Sequence, residues 1–241
     1  MMNDLVGAIF AAWLPKRTPY LQQLVDAYRS ASTVPASAPA RKQPATPASA
    51  WQPAEARGPP ALDLLHVHVG TNALPAPEAR VLEALRGCAH SLHWFHNRSP
   101  EWVAANASGE TDTSAVVVGT AAADPVTWHR GPGGAATIGF MWIGPHNTYP
   151  PHAHAAKEAY HIVAGSCDMS KNGAPFRHCR PGDIVVHCPH DVHCLRTGSS
   201  PVLVCWVHSG DLDGGYYFVN NENGQQHARF RDHRHRHRAK L

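Results

Sequence analysis

The sequence predicts a mostly β protein, a single small β-barrel with an N-terminal helical extension. Short runs rich in β-branched and aromatic residues recur along the second half of the chain, each bounded by Gly, Pro or Asn. The 21 prolines and 19 glycines among 241 residues supply many turns between such runs. Several short strands at close spacing indicate a sandwich or a barrel, and the chain is long enough for one such domain with its own core.

The N-terminal part of the chain carries helical rather than strand patterns. Residues 1–30 are predicted to form a helical segment, with Pro15 as a break and with one apolar face formed by Leu21, Leu24, Val25 and Tyr28. Residues 31–62 are rich in Pro, Ala and Ser, and we expect a disordered linker there. Residues 63–130 are predicted to hold a second helix, over Pro77–His96, and the first strands.

The predicted strands lie mainly in the barrel core, which we assign to residues 131–220. They are Ser114–Gly119, Thr137–Ile143, Tyr160–Ala164, Asp183–His187 and Val202–Val207. Residues 221–241 follow the core as a basic tail rich in His and Arg, which we expect to be solvated and disordered.

The net charge of +3 comes from the end of the chain and does not indicate a nucleic-acid partner. Residues 227–241 hold six Lys or Arg and one Asp, a charge of +5, so the rest of the chain is at −2. The apolar run Leu5–Leu14 is too short to span a bilayer. We therefore expect a cytoplasmic protein that binds a small-molecule substrate, with no nucleic-acid or membrane partner. The oligomeric state stays open, a homodimer being one option.

The segment GPHNTYPPHAHAAKEAYHIVAGS, residues 144–166, concentrates the groups that can carry chemistry. Alternate residues of a strand share a face, so His152 and His154 can present their imidazoles to one point. Glu158 and Tyr160 are also two residues apart, so they too lie on one face of a strand. Two imidazoles and a carboxylate suit a divalent ion such as Zn, Fe, Mn, Ni or Co, with coordination positions left open. We predict a site for one divalent transition metal ion inside the barrel.

The second half of the site is predicted in RPGDIVVHCPHDVHCLRT, residues 180–197. Pro181-Gly182-Asp183 forms a turn into a strand, and a later turn ends at His193, the fourth candidate ligand. His187 is expected only to end the strand, and His190 to lie in the turn.

Both segments resemble the two cupin motifs, and the words TYPPHAHAAKEAY, PGDIVVH, HCLRT and SGDL resemble the cupin-type dimethylsulfoniopropionate lyases over residues 137–212. The resemblance implies a jelly-roll-like cupin barrel. It implies Tyr160 as the catalytic base and Tyr149 as a second tyrosine that helps to position the substrate. The metal ligands that it implies are His152, His154, Glu158 and His193.

Three positions depart from the usual second cupin motif. Cys188 stands where Pro is common, His190 where Gly is common, and Thr197 where Asn is frequent. His190 matters most, because Gly adopts a positive φ at least cost, although His tolerates it better than most residues. The residue at position 190 affects the geometry of the turn, and that turn sets the position of His193.

The reaction that the resemblance implies is elimination of dimethyl sulfide from dimethylsulfoniopropionate, which leaves acrylate. The metal binds the substrate carboxylate and Tyr160 removes the adjacent proton. Two alternatives share the same ligands: an Fe(II) cupin dioxygenase acting on a small carboxylate or thiol, and a non-catalytic cupin that binds a small ligand. The ligand types do not choose between Fe, Zn, Mn and Ni.

Overall fold

The computed structural model describes residues 2–13, 51–53, 74–88, 94–97, 100–106, 113–120, 137–211, 216–219 and 226–227. Its helices are α1 (Met2–Trp13), α2 (Ala76–Cys88) and α3 (Pro100–Ala105). Its strands are β1 (Trp51–Pro53), β2 (Phe95–Asn97), β3 (Thr113–Thr120), β4 (Thr137–Ile143), β5 (Thr148–His154), β6 (Ala156–Gly165), β7 (Cys167–Lys171), β8 (Arg177–Cys179), β9 (Ile184–His187), β10 (His193–Arg196), β11 (Val202–Gly210), β12 (Tyr216–Val219) and β13 (Gln226–His227).

The strands form two antiparallel sheets. The first sheet has the order β1-β2-β3-β4-β11-β6-β9 and the second the order β13-β12-β5-β10-β7-β8. Strand β11 lies between β4 and β6 in the sheet. Along the chain, β11 and β6 are separated by the strands β7 to β10. The predicted fold class, mostly β with an N-terminal helix, is confirmed.

Both faces of β4, in the middle of the first sheet, are buried. Ile138, Phe140 and Trp142 point to the outer side, where α1 and α2 cover the sheet. Met141 and Ile143 point to the inner side and pack with residues of the second sheet. The inner cluster joins the two sheets through Tyr149, Tyr160, Ile162, Cys167, Met169, Leu195, Val204, Trp206 and Phe218. The barrel interior therefore lies between the sheets, and the helices close its outer side.

A buried polar network fastens both helices to β6. The indole Nε1 of Trp13 donates to His161 Nδ1 at 3.0 Å, and His161 Nε2 lies 2.9 Å from Glu78 Oε1. An indole nitrogen can only donate, so Nδ1 of His161 accepts and its Nε2–H donates to the carboxylate. A buried hydrogen bond to a charged group contributes about 1.5–3 kcal/mol. The helices are thus tied to the strand that carries Glu158 and Tyr160.

The predicted strands are all present, while the second helix is shorter than predicted. It ends at Cys88, so the prediction of helix as far as His96 is wrong: Phe95–Asn97 form β2, which pairs with β1 and β3. Aromatic residues such as Phe95 favour a strand. Trp51–Pro53 form β1 inside the predicted linker.

Several predictions fall on residues outside the described ranges. They are the helix beyond Trp13, the rest of the linker and most of the basic tail. The domain boundaries stay predictions. Among the described residues, no helix is both long and apolar enough to cross a membrane. The cytoplasmic location stays a prediction as well.

Gly165, at the end of β6, is a position where we expect a side chain to be costly. Its φ is +73°, and a Cβ built there would lie 1.8 Å from the backbone oxygen of Pro201. We expect Gly165→Ala to lower the free energy of unfolding by about 2–3 kcal/mol, measured by urea denaturation. Gly198→Ala is the matched control, because no atom lies within 4 Å of its Cβ. Equal stability of the two variants would contradict the clash.

Candidate metal centre

The four predicted metal ligands lie inside the barrel, between the two sheets. Ligand atoms within 4.8 Å of one another form two groups among the described residues, His154 with Glu158 and His208, and Glu158 with His187 and His193. His152 belongs to neither group. His152 and His154 lie on β5, Glu158 on β6 and His193 on β10, with His193 paired directly to His152. Their exposed fractions are 1%, 5%, 2% and 1% in that order. Groups as polar as these are buried only where a partner satisfies them.

Each of the three histidines is held by a backbone carbonyl two residues away. The Nδ1 atoms of His152, His154 and His193 bond to these oxygens at 2.9, 2.8 and 2.8 Å. The carbonyls belong to Pro150, Ala156 and Asp191. A carbonyl only accepts, so Nδ1 carries the proton and Nε2 presents a lone pair. This is the tautomer and the support that a metal-binding histidine needs.

The Nε2 atoms of two of these histidines converge on the Glu158 carboxylate. Nε2 of His154 and Nε2 of His193 lie 3.2 and 3.0 Å from Glu158 Oε2. The His193 contact does not have hydrogen-bond geometry. Nitrogen lone pairs that face a carboxylate oxygen are repelled by it, and either a proton on the imidazole or a cation between the groups removes the repulsion. The donor set therefore fits a bound divalent ion.

The ring planes of the three histidines also allow one shared ion. The ring of His193 crosses those of His152 and His154 at 62° and 82°, and the latter two cross at 39°. A nitrogen lone pair lies in the plane of its ring, and planes that cross have points in common. His152 sits with its ring centroid 4.1 Å from that of His193. The crossed rings of His154 and His193 are compatible with one shared ion, while His152 lies beside them through its ring contact with His193.

The charge of Glu158 is stabilised by the histidines around it. Burial raises the pKa of this carboxyl, but His208 and then His154 outweigh burial and hold the pKa well below its usual range. Burial lowers the pKa of His154, yet the Glu158 charge raises it further, and the net direction is upward. Glu158 therefore stays ionised in the buried interior, where its charge favours either a proton on His154 or a bound cation.

Two further histidines flank Glu158, and neither was predicted to belong to the site. His208 on β11 and His187 on β9 are paired directly to Glu158 from its two sides. His208 is partly exposed, and its Nε2 lies 2.5 Å from Glu158 Oε1. His187, expected only to end its strand, is 1% exposed. The pairing of distant strands places both residues, and the sequence pattern contains no signal for it.

His187 differs from His152, His154, His193 and His208 because neither of its ring nitrogens has a hydrogen-bond partner among the described residues. Burial first, and then the neighbouring His193, lower the pKa of His187 to about 3. Its ring stacks on that of His193 with centroids 3.9 Å apart and planes 12° from parallel.

Both predicted tyrosines lie in the same interior. Tyr160 is 3% exposed, and its ring contacts those of His187 and His193 at 5.2 and 5.9 Å. Burial, and then the Glu158 charge, raise the pKa of Tyr160 well above its ordinary value. The ring of Tyr149 stacks on His152 at 4.1 Å, and its hydroxyl is 2.8 Å from that of Tyr216.

The turn before His193 forms with His190 in place of the usual Gly. His190 has a φ of 65°, and its N–H donates to the carbonyl of His154 at 2.8 Å. Asp191 N–H closes the turn on Cys188 O at 3.0 Å. Thr197, the other departure, donates from Oγ1 to Gly144 O at 2.6 Å. The turn therefore delivers His193 to the site despite the altered residues.

His208 should strengthen metal binding by holding one Glu158 oxygen. We expect His208→Leu to weaken metal affinity about 10–100-fold, the usual cost of removing a partner of a ligand. His208→Gln, which keeps a donor, should recover part of that loss. Competition with a chelating dye measures the affinity. His178→Leu, at a side chain that is 65% exposed, should bind metal like the unaltered protein. Unchanged affinity in His208→Leu would contradict this role.

Comparison with known proteins gives the family. The family model for dimethylsulfoniopropionate lyases matches residues 43–204. The dimethylsulfoniopropionate lyase DddQ of Ruegeria pomeroyi is 37% identical over 79 residues, which span 33% of this chain and 38% of that protein.

Two solved structures share the fold. One comes from the crystal structures of the lyases RdDddP and RnDddQII, with a TM-score of 0.59, 18% identity, and coverage of 91% of this chain and 97% of the other. The crystal structure of DddQ from Ruegeria pomeroyi has a TM-score of 0.56, 21% identity, and coverage of 92% and 97%. The chain therefore belongs to the dimethylsulfoniopropionate lyase family, as its motifs predict.

Proposed function

We propose that this protein is a metal-dependent lyase that cleaves dimethylsulfoniopropionate to dimethyl sulfide and acrylate by β-elimination. The observation that carries the proposal is the placement of Tyr160, which lies two residues from Glu158 on β6 and is buried against the ring of His193. A proton acceptor thus adjoins the donor set for a cation. Membership of the family supports the same reaction.

The elimination needs no change of oxidation state. A base removes the proton on the carbon next to the carboxylate, and that electron pair forms the carbon–carbon double bond. The carbon–sulfur bond breaks, and dimethyl sulfide leaves with the bonding pair. The difficult part is the negative charge that develops beside a carboxylate that is already anionic.

The residues divide this work between them. His152, His154, Glu158 and His193 would hold the ion, since three imidazoles supported at Nδ1 and one carboxylate lie together in the buried interior. A bound divalent ion supplies a Lewis acid for the substrate carboxylate and a positive field that lowers the pKa of a nearby phenol. Tyr160 takes the proton at its phenolic oxygen. Fe, Zn, Mn and Ni all suit these ligands.

The aromatic lining suits the sulfonium end of the substrate. Tyr149 and Trp206 belong to the inner cluster, and Trp206 is 4% exposed. Tyr216 packs against the same cluster. Trp142 instead faces the helices on the outer side. An aromatic face near a cation is attractive by about 0.5–2 kcal/mol. We propose that Tyr149 positions the substrate from this wall.

One assay separates the lyase from the two alternatives. Purified, metal-loaded protein is incubated with dimethylsulfoniopropionate, and headspace dimethyl sulfide is measured by gas chromatography with and without oxygen. We expect equal release in both, with one acrylate formed per dimethyl sulfide. Release that requires oxygen would favour the dioxygenase. Substrate binding without release would favour the non-catalytic cupin.

A further inference from the structure

Three side chains form a row across adjacent strands at the centre of the site. His187 on β9, Glu158 on β6 and His208 on β11 are paired directly with one another in that order. Directly paired residues point to the same face of a sheet. The row therefore brings two histidines beside the carboxylate, one on each side, and only His208 bonds to it.

His187 has an unmet capacity for hydrogen bonding. Its side chain is 1% exposed, and neither ring nitrogen has a partner among the described residues. Leaving a buried polar group without a partner costs about 1–3 kcal/mol. A group that binds in the site could therefore supply the hydrogen bond that His187 lacks among the described residues.

A metal ion shared with His193 is the first candidate partner, because Glu158, His187 and His193 place their ligand atoms within 4.8 Å of one another. The ring geometry argues against it. The rings of His187 and His193 are stacked, 3.9 Å apart and within 12° of parallel. An ion bound by an imidazole nitrogen lies about 2.0–2.1 Å away in the plane of the ring. Two nearly parallel planes separated in this way have no common point near both rings, so an ion held by His193 lies outside the plane of His187. Within the described part of the chain, His187 also lacks the backbone carbonyl partner that His152, His154 and His193 share.

We propose that His187 is a substrate-binding residue whose ring N–H donates to an oxygen of the substrate carboxylate. The stack places its ring beside the nitrogen of His193 that faces the cation position. A carboxylate bound to that cation would bring an oxygen alongside His187. An uncharged imidazole N–H can donate a hydrogen bond to an anion, whereas a sulfonium cation cannot accept one. The identity of the substrate rests on the proposed function.

The experiment compares the unaltered protein with His187→Leu, His187→Asn and the surface control His178→Leu, all loaded with Co²⁺. Calorimetric titration with acrylate measures carboxylate binding without turnover, and acrylamide serves as an uncharged probe. We expect His187→Leu to weaken acrylate binding at least about 10-fold and His187→Asn to recover part of it. Acrylamide binding and the His178→Leu control should not change. The KM for dimethylsulfoniopropionate should rise with the acrylate dissociation constant, while kcat changes less.

The Co²⁺ content and the visible absorption of the bound ion decide between substrate and metal as the partner. Both should be the same in His187→Leu as in the unaltered protein, and loss or a changed spectrum would identify a metal ligand and overturn the proposal. Unchanged acrylate binding would make His187 a packing residue and overturn it as well. Absence of dimethyl sulfide from the unaltered protein would remove the proposed function, while the acrylate titration would still test His187.

Discussion

Tyr160→Phe is expected to lower dimethyl sulfide release about 10²–10⁴-fold, the range that a positioned base contributes. The phenolic oxygen is the only part of the side chain that changes, so the packing of the ring in the inner cluster is kept. The bound metal should stay, because Tyr160 is not among the proposed ligands. Gas chromatography of the headspace measures the rate, and elemental analysis measures the metal.

Tyr217→Phe is the matched control for this variant. Tyr217 lies on β12 next to Tyr216 but on the alternate side, and its hydroxyl lies 3.4 Å from the turn residue His190. Its loss should leave the rate nearly unchanged. Full activity in Tyr160→Phe with metal bound would show that another group takes the proton.

The phenol itself offers a second measurement. Without an ion, burial and Glu158 raise the pKa of Tyr160, so its neutral form is favoured at ordinary pH. A cation bound beside Glu158 acts in the opposite direction. Phenolate absorption is measured during an alkaline pH titration of the unaltered protein and of Tyr160→Phe, and the difference between them reports Tyr160. We expect this difference to appear at lower pH once metal is added.

The site divides into a part that local sequence predicts and a part that it does not. His152, His154, Glu158 and Tyr160 lie within nine positions, and the period of two in a strand is enough to put them on common faces. His193 follows from the spacing of the second motif. The structure places all of them in one interior, where their roles as ligands and base stay proposals.

His187 and His208 could not be found in this way, because strand pairing sets their place. His208 is separated from Glu158 by 50 positions and reaches it only because β11 enters the sheet beside β6. The contact of the N-terminal helix with the sheet likewise depends on residues far apart in the sequence. Trp13 and His161 are 148 positions apart, and no local pattern indicates that they bond. A nonlocal register depends on the whole chain, whereas periodicity reports only on neighbours.

Glu158→Gln is expected to weaken metal binding about 100-fold or more, a larger loss than the 10–100-fold expected when only a partner of a ligand is removed. Glu158 supplies the sole carboxylate in the candidate ligand groups of the described residues. Its replacement removes the negative charge toward which His154 and His193 point. Chelator competition measures the affinity, and dimethyl sulfide release should fall with it.

The exposed Glu83→Gln on α2 is the control for this substitution, since it makes the same chemical change far from the histidines. Metal-free protein separates binding from folding. The Glu158 charge is stabilised by His208 and His154, which hold its pKa below the usual range, so replacing the carboxylate also removes some folding stability at neutral pH. Metal-free Glu158→Gln should therefore unfold at a lower urea concentration than the unaltered protein, and the metal affinities are compared without urea, where both are folded. Full metal affinity in Glu158→Gln would show that the histidines alone hold the ion.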